Sequence, residues 1–149
     1  MNANDLQKFC GRETSRAYLM KPFTHGAYSW ATDGHIIIRV PRIDGVAETS
    51  GPPIDDALAT VMATKSGPLN TPLPSYDIPP RKIKNVSVGI CGMPFAARYV
   101  RMLQALPNVI IRAMDDLNDA PHMVFSFDGG DGALMGLRYK LSTHIEPKI

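Results

Sequence analysis

The sequence predicts an α+β chain built from two similar halves, each a helix followed by strands. Three observations carry this. Asp33-Gly34 stands between two β-prone runs, Ala27–Thr32 and His35–Val40, and such a dipeptide is the strongest short-range hairpin signal, because a type I′ turn needs positive φ at both central residues. Pro94–Leu106 repeats apolar side chains at helical spacing. Asp128-Gly129-Gly130-Asp131-Gly132 separates two further strand-like runs, Met123–Phe127 and Ala133–Tyr139.

In chain order, Asn4–Gly11 reads as a short helix. Asn4 is its expected N-cap, Leu6, Phe9 and Cys10 share a face, and Gly11 ends it. A strand is expected within Ser15–Phe23, stopped near Pro22. In the hairpin that follows, Tyr28 and Trp30 share one face of the first strand, and Ile36, Ile38 and Val40 share one face of the second.

From Pro41 to about Lys84 prolines break up the chain, with one helix candidate at Ile54–Thr64. A connection of this length is unusual inside a compact domain, so it is either an ordered insert or a linker between halves. The second half opens with a strand over Lys84–Ile90, Val86, Val88 and Ile90 on one side. In the helix Pro94–Leu106, Pro94 suits the first position and Pro107 lies just past the end. Phe95, Tyr99, Met102, Leu103 and Leu106 form its apolar stripe, with Arg98, Arg101 and Gln104 on the opposite arc. Strands over Val109–Met114, Met123–Phe127 and Ala133–Tyr139 complete it. The halves share element order without useful residue identity.

At 149 residues the chain is read as one domain, residues 1–149, with an insert at about 41–84. With 44% hydrophobic and 20% charged residues it has a globular composition, and no run reaches the roughly 18 apolar residues of a membrane span. The N-terminal residues lack a basic region followed by an apolar core, so a cytoplasmic location is expected. Cys10 and Cys91 are too few for a disulfide scaffold and read as buried free thiols. The net charge of +2 gives no global electrostatic case for nucleic acid, so a DNA-binding face would have to be local.

Chemistry finds little support. Asp33 and His35 sit on opposite sides of a turn with no third member. The four histidines and two cysteines lack the tight spacing of a zinc site, and Gly129-Gly130-Asp131-Gly132 lacks the lysine and helix of a phosphate loop. No enzyme, metal or cofactor is expected.

The string Ala31-Thr32-Asp33-Gly34-His35 resembles the Thr-Asp-Gly-His-Arg-Leu signature of the bacterial β sliding clamp family, the processivity subunits of DNA polymerase III. Val86–Leu106 resembles that family's strand-turn-helix segment, with Arg98-Tyr99-Val100 before Leu103 and Leu106. Met123–Phe127 followed by Leu134-Met135-Gly136-Leu137-Arg138 is similar to its closing hairpin, whose last strand runs Met-Pro-Met-Arg. The matches cover about half of the chain in the family's order. Ile36 stands where the family has arginine, and Gly136 where it has proline.

The resemblance implies a DNA-clamp-like domain of two βαβββ halves, its two helices packed on antiparallel sheets. It implies a peptide pocket at Thr32, Gly34, His35, Ile37, Met135 and Leu137, which would dock short linear peptides of replication or repair proteins. In the family the two elements of that pocket come from adjacent domains, so a one-domain chain needs a neighbouring copy. The plainer reading makes Thr32–Gly34 a turn and Met135 and Leu137 core.

Arg98 and Arg101, with Lys8 and Arg12 and the nearby Arg16, are the residues that would face double-stranded DNA, weakly and without sequence preference. Arg81, Lys82 and Lys84 are the densest basic run, readable as a solvated loop. The expected function is that of a non-enzymatic processivity or docking factor, a reduced, phage- or prophage-encoded member that forms a homo-oligomer of about six copies to close a ring. The alternative is a small interaction protein that modulates a host protein without encircling DNA.

Overall fold

A computed structural model of the chain describes residues 1–12, 20–48, 69–117 and 120–148. The helix candidate at 54–64, Arg16 and most of the strand expected before Phe23 lie outside the described residues. The chain divides into two compact units, Met1–Thr64 with Gly129–Ala133, and Lys65–Asp128 with Leu134–Ile149. The described residues are mostly β-sheet with two helices, an α+β arrangement. No helix among them is long and apolar enough to cross a membrane.

In the first unit, α1 (Ala3–Gln7) starts earlier than the sequence suggests. Its N-cap is Asn2, not Asn4. Asn2 Oδ1 accepts the Asp5 N–H at 3.0 Å and Asp5 Oδ2 accepts the Asn2 N–H at 2.9 Å, so one reciprocal pair satisfies two end groups. The matching partner for Asn4 would be Gln7, whose amide instead donates to the Met20 carbonyl at 2.8 Å. The helix stops at Gln7, short of Gly11, and tight turns carry buried Phe9 beside buried Leu6.

Strands β1 (Phe23–His25), β2 (Tyr28–Thr32) and β3 (Ile36–Pro41) run antiparallel in that order, and Gly130–Ala133, the first part of β9 (Gly130–Met135), lies beside β3. Ile36, Ile38 and Val40 are all buried, as their alternation predicts. Each contributes about 1.5–3 kcal/mol of burial. Tyr28 and Trp30 share a face, their rings edge to face at 5.8 Å.

The Asp33-Gly34 turn differs from expectation. The last paired residues are Thr32 and Ile37, and only Gly34 has positive φ, +96°. Asp33 Oδ1 accepts the N–H groups of His35 and Ile36 at 2.8 and 3.0 Å, and Thr32 Oγ1 accepts that of Gly34 at 3.0 Å. Side-chain acceptors replace the two-residue turn with a wider, Asx-type loop.

In the second unit, β4 (Thr71–Pro72), β7 (Ile110–Leu117) and β8 (Ala120–Phe127) are neighbours in the order β8-β7-β4, with a bulge between Ile111 and Ala113. A three-stranded sheet has the order β10-β5-β6, from β10 (Thr143–Ile145), β5 (Val86–Ile90) and β6 (Met93–Ala96). Here β10 is parallel to β5, so this sheet is mixed rather than antiparallel throughout.

The predicted helix over Pro94–Leu106 is corrected in its first residues. Met93–Ala96 is a strand, and α2 covers only Ala97–Gln104. Cys91 and Gly92 both have positive φ, +50° and +82°, between the paired residues Ile90 and Met93. The two-residue hairpin predicted at Asp33-Gly34 is therefore found at Cys91-Gly92, and it folds Pro94 back as an edge-strand residue where no N–H is required. Helix α2 buries Ala97, Tyr99, Val100 and Leu103, while Arg98 is exposed. The last predicted strand is also shorter, with β9 ending at Met135 instead of Tyr139.

Candidate functional site

Past β9 the chain is stitched to two prolines. The N–H of Gly136 donates to the Pro121 carbonyl at 2.7 Å, and that of Leu137 to the Pro94 carbonyl at 2.8 Å. The approach is close: a Cβ on Gly136 would stand 3.2 Å from Met93 Sδ and from the Pro94 oxygen. This explains glycine at that position. The result is an open groove of about 460 Å³ lined by Gly92, Met93, Pro94, Pro121, Leu137, Arg138 and Tyr139. Polar and apolar surface line it in about equal measure, with apolar side chains from Met93, Pro94, Pro121 and Leu137, and Arg138 is its one charged side chain.

Of the residues expected in a peptide pocket, Leu137 lines this groove. Met135 is 45% exposed and is not part of the lining. Thr32, Gly34, His35 and Ile37 belong to the first unit, Met135 and Leu137 to the second. Thr32 is buried, Gly34 and His35 are exposed, and Ile37 packs on the Phe23–Trp30 cluster.

The residues expected to face DNA also fall in both units. Lys8 lies 4.0 Å from Asp5 in an exposed pair, and Arg12 is exposed. Arg98 lies over the ring of its neighbour Tyr99 at 4.5 Å and donates to the Tyr99 hydroxyl at 2.7 Å. Arg101 donates to the Pro79 carbonyl.

A second constellation escaped sequence reasoning. Ser87 Oγ is 2.7 Å from His144 Nδ1, and His144 Nε2 is 2.8 Å from Glu146 Oε1. Ser87 Oγ also accepts the Leu141 N–H at 3.0 Å. A carboxylate only accepts, so Nε2 carries the proton shared with Glu146. The row has the residue types of a hydrolase triad with the ring nitrogens reversed. Ser87 is fully buried, so no substrate reaches its oxygen, and the row acts as a clasp between β5 and β10. No local signal could have revealed it, because its members meet only through the parallel pairing.

Both thiols are free. Contrary to the expectation of burial, Cys91 is exposed, because its turn projects from the sheet, and Cys10 is half-buried. Burial pushes the Cys10 thiol up to about 11, with the Asp33 charge adding to it and a backbone hydrogen bond at Thr32 opposing it. Burial likewise pushes the Tyr76 phenol up to about 12, reinforced by Cys91 and Glu146. Among the described residues no group of three His, Cys, Asp or Glu side chains is placed to hold a metal ion. No protein-family model, curated protein or solved structure matches the chain.

Proposed function

We propose that the chain is a non-enzymatic docking protein of the sliding-clamp kind, which seats short linear peptides of replication or repair proteins. The observation that carries this is the groove around Leu137, in which Met93, Pro94 and Pro121 offer an adaptable apolar wall beside Arg138. The clamp-like arrangement of two βαβββ halves belongs to the same proposal. A ring of about six copies would supply the neighbouring hairpin, with Thr32, Gly34, His35 and Ile37, that completes the pocket.

A second reading keeps the fold and drops DNA encirclement, leaving a small protein that binds and modulates a host factor. The internal bonding of Arg98 and Arg101 favours it, since both guanidinium groups are engaged by their own chain.

Light scattering with and without closed circular DNA at low salt separates the two. A mass near six protomers that persists on circular DNA supports the ring; a monomer or dimer indifferent to DNA supports the second reading. Leu137→Ala should weaken binding of a clamp-binding peptide under both, and undiminished binding would remove the groove from either.

A further inference from the structure

The groove past β9 is built on a fixed floor. The bond from the Gly136 N–H to the Pro121 carbonyl, 2.7 Å, and that from the Leu137 N–H to the Pro94 carbonyl, 2.8 Å, anchor the chain just before Arg138. A side chain that follows two anchored residues has little backbone freedom left to lose on binding. The volume of about 460 Å³ falls within the roughly 300–1,000 Å³ of sites that enclose small ligands. That is room for a few side chains and not for a folded domain.

Charge narrows the ligand. Arg138, the one charged side chain of the lining, is exposed. Among the described residues it makes no ion pair and no side-chain hydrogen bond. The two segments that supply most of the lining, Gly92–Pro94 and Leu137–Tyr139, lie in stretches without an acid. The chain carries none from Ile78 to Met114, nor from Leu134 to Ile145. Asp116 stands opposite Pro121 in the β7–β8 ladder, and Glu146, just past the second stretch, is engaged by His144 at 2.8 Å. Next to Arg138, Tyr139 is 80% exposed at the groove. Arginine and tyrosine are enriched at protein interfaces, since each joins apolar area to a directed polar group.

We infer that the groove takes a linear peptide that carries an acidic residue beside its apolar anchor. The anchor rests against Met93, Pro94, Pro121 and Leu137, and the carboxylate pairs with the Arg138 guanidinium. The planar fork of arginine meets a carboxylate with two parallel hydrogen bonds, which fixes the peptide's direction as well as its charge. A purely apolar peptide would displace water from Arg138 without replacing its hydrogen bonds, and a basic one would be repelled. Such an occupant presupposes the peptide-docking reading of the groove, and it needs neither DNA nor a ring of copies.

The test is selection of a random-peptide display library on the full chain, followed by fluorescence anisotropy of the labelled peptides it yields. Selected sequences should place Asp or Glu beside a leucine, methionine or aromatic residue. Arg138→Gln should weaken their binding by about 3- to 10-fold, as for an exposed ion pair with two hydrogen bonds. Replacing the peptide's acid by its amide should cost the same, and both changes together no more than either alone. The preference should fade as salt is raised, because the pair is exposed. Arg138→Glu should transfer it to the same peptide with lysine in place of its acid. Position 138 is exposed, so circular dichroism should show an intact fold. Peptides that lose binding in Leu137→Ala yet lack an acid, or ignore Arg138→Gln, would overturn the acidic preference and leave the docking reading standing. Peptides indifferent to both variants would overturn the two together. So would the absence of any selected peptide, and a dimer in light scattering that Arg138→Gln dissolves would then give the groove to a second copy.

Discussion

Arg39 grips Asp131 with two hydrogen bonds, Nε to Oδ1 at 2.7 Å and Nη2 to Oδ2 at 3.0 Å. The same guanidinium lies over the Tyr28 ring at 4.4 Å and the Trp30 ring at 5.3 Å. The hydrogen bond to Asp131, more than its charge, holds Arg39 still more firmly protonated than usual. One planar cation thus ties the start of β9 to β2 and β3. Arg39→Ala should destabilise the chain by about 1.5–3 kcal/mol, read from urea unfolding. Asp131→Asn should cost less, since the stacking on the two rings survives. Equal midpoints for all three proteins would show that the contact contributes nothing.

Alkaline stability should be set partly by Tyr76, whose hydroxyl donates to the Gly89 carbonyl at 2.8 Å. The folded chain holds the phenol proton up to about 12, against an ordinary 10.0. The stability this adds is fully present below the ordinary value and is lost as pH rises through that window. Tyr76→Phe should lose about 1 kcal/mol at neutral pH and show a shallower decline above it. An unchanged alkaline slope would count against the burial of the phenol.

Thiol labelling should resolve two phases. Cys91 is exposed on its turn and should react at once. Cys10, half-buried and raised from 9.0 to about 11, has about a hundredfold less thiolate than an ordinary cysteine and should lag accordingly. A single fast phase in the folded protein would contradict the burial of Cys10.

The Cys91-Gly92 turn carries a strained residue, since Cys91 has φ of +50°. Cys91→Asn should raise stability by up to about 1 kcal/mol, because asparagine tolerates this conformation. Gly92→Ala should lower it by about 1–2 kcal/mol. Denaturant titration of both variants checks the pair, and a stabilising Gly92→Ala would refute the turn.

Elements governed by local pattern were legible. The alternation of Ile36, Ile38 and Val40 identified a strand and its buried face, and that of Val86, Val88 and Ile90 identified a strand that is buried on both faces. Turn chemistry misled in both directions. Asp33 spent its carboxylate on backbone N–H groups, while Cys91, a residue with no turn preference, took the left-handed position. Pro94 satisfies the rules for both a helix start and an edge strand, and only the hairpin with β5 decides between them. The parallel pairing of β10 with β5 leaves no trace in either segment, so the Ser87 clasp was hidden. In the groove, Leu137 and Arg138 were reached through a resemblance, whereas Tyr139 carried no signal of its own.

The division of the chain also imposes an order on synthesis. The first unit takes Gly129–Ala133 from far downstream, and Asp131 follows its partner Arg39 by 92 residues. A ribosome needs roughly 5–18 s to cover that distance. Throughout it the nascent chain lacks the segment that β3 pairs with in the folded protein. Slow codons between the two would prolong that interval, and fast ones would shorten it.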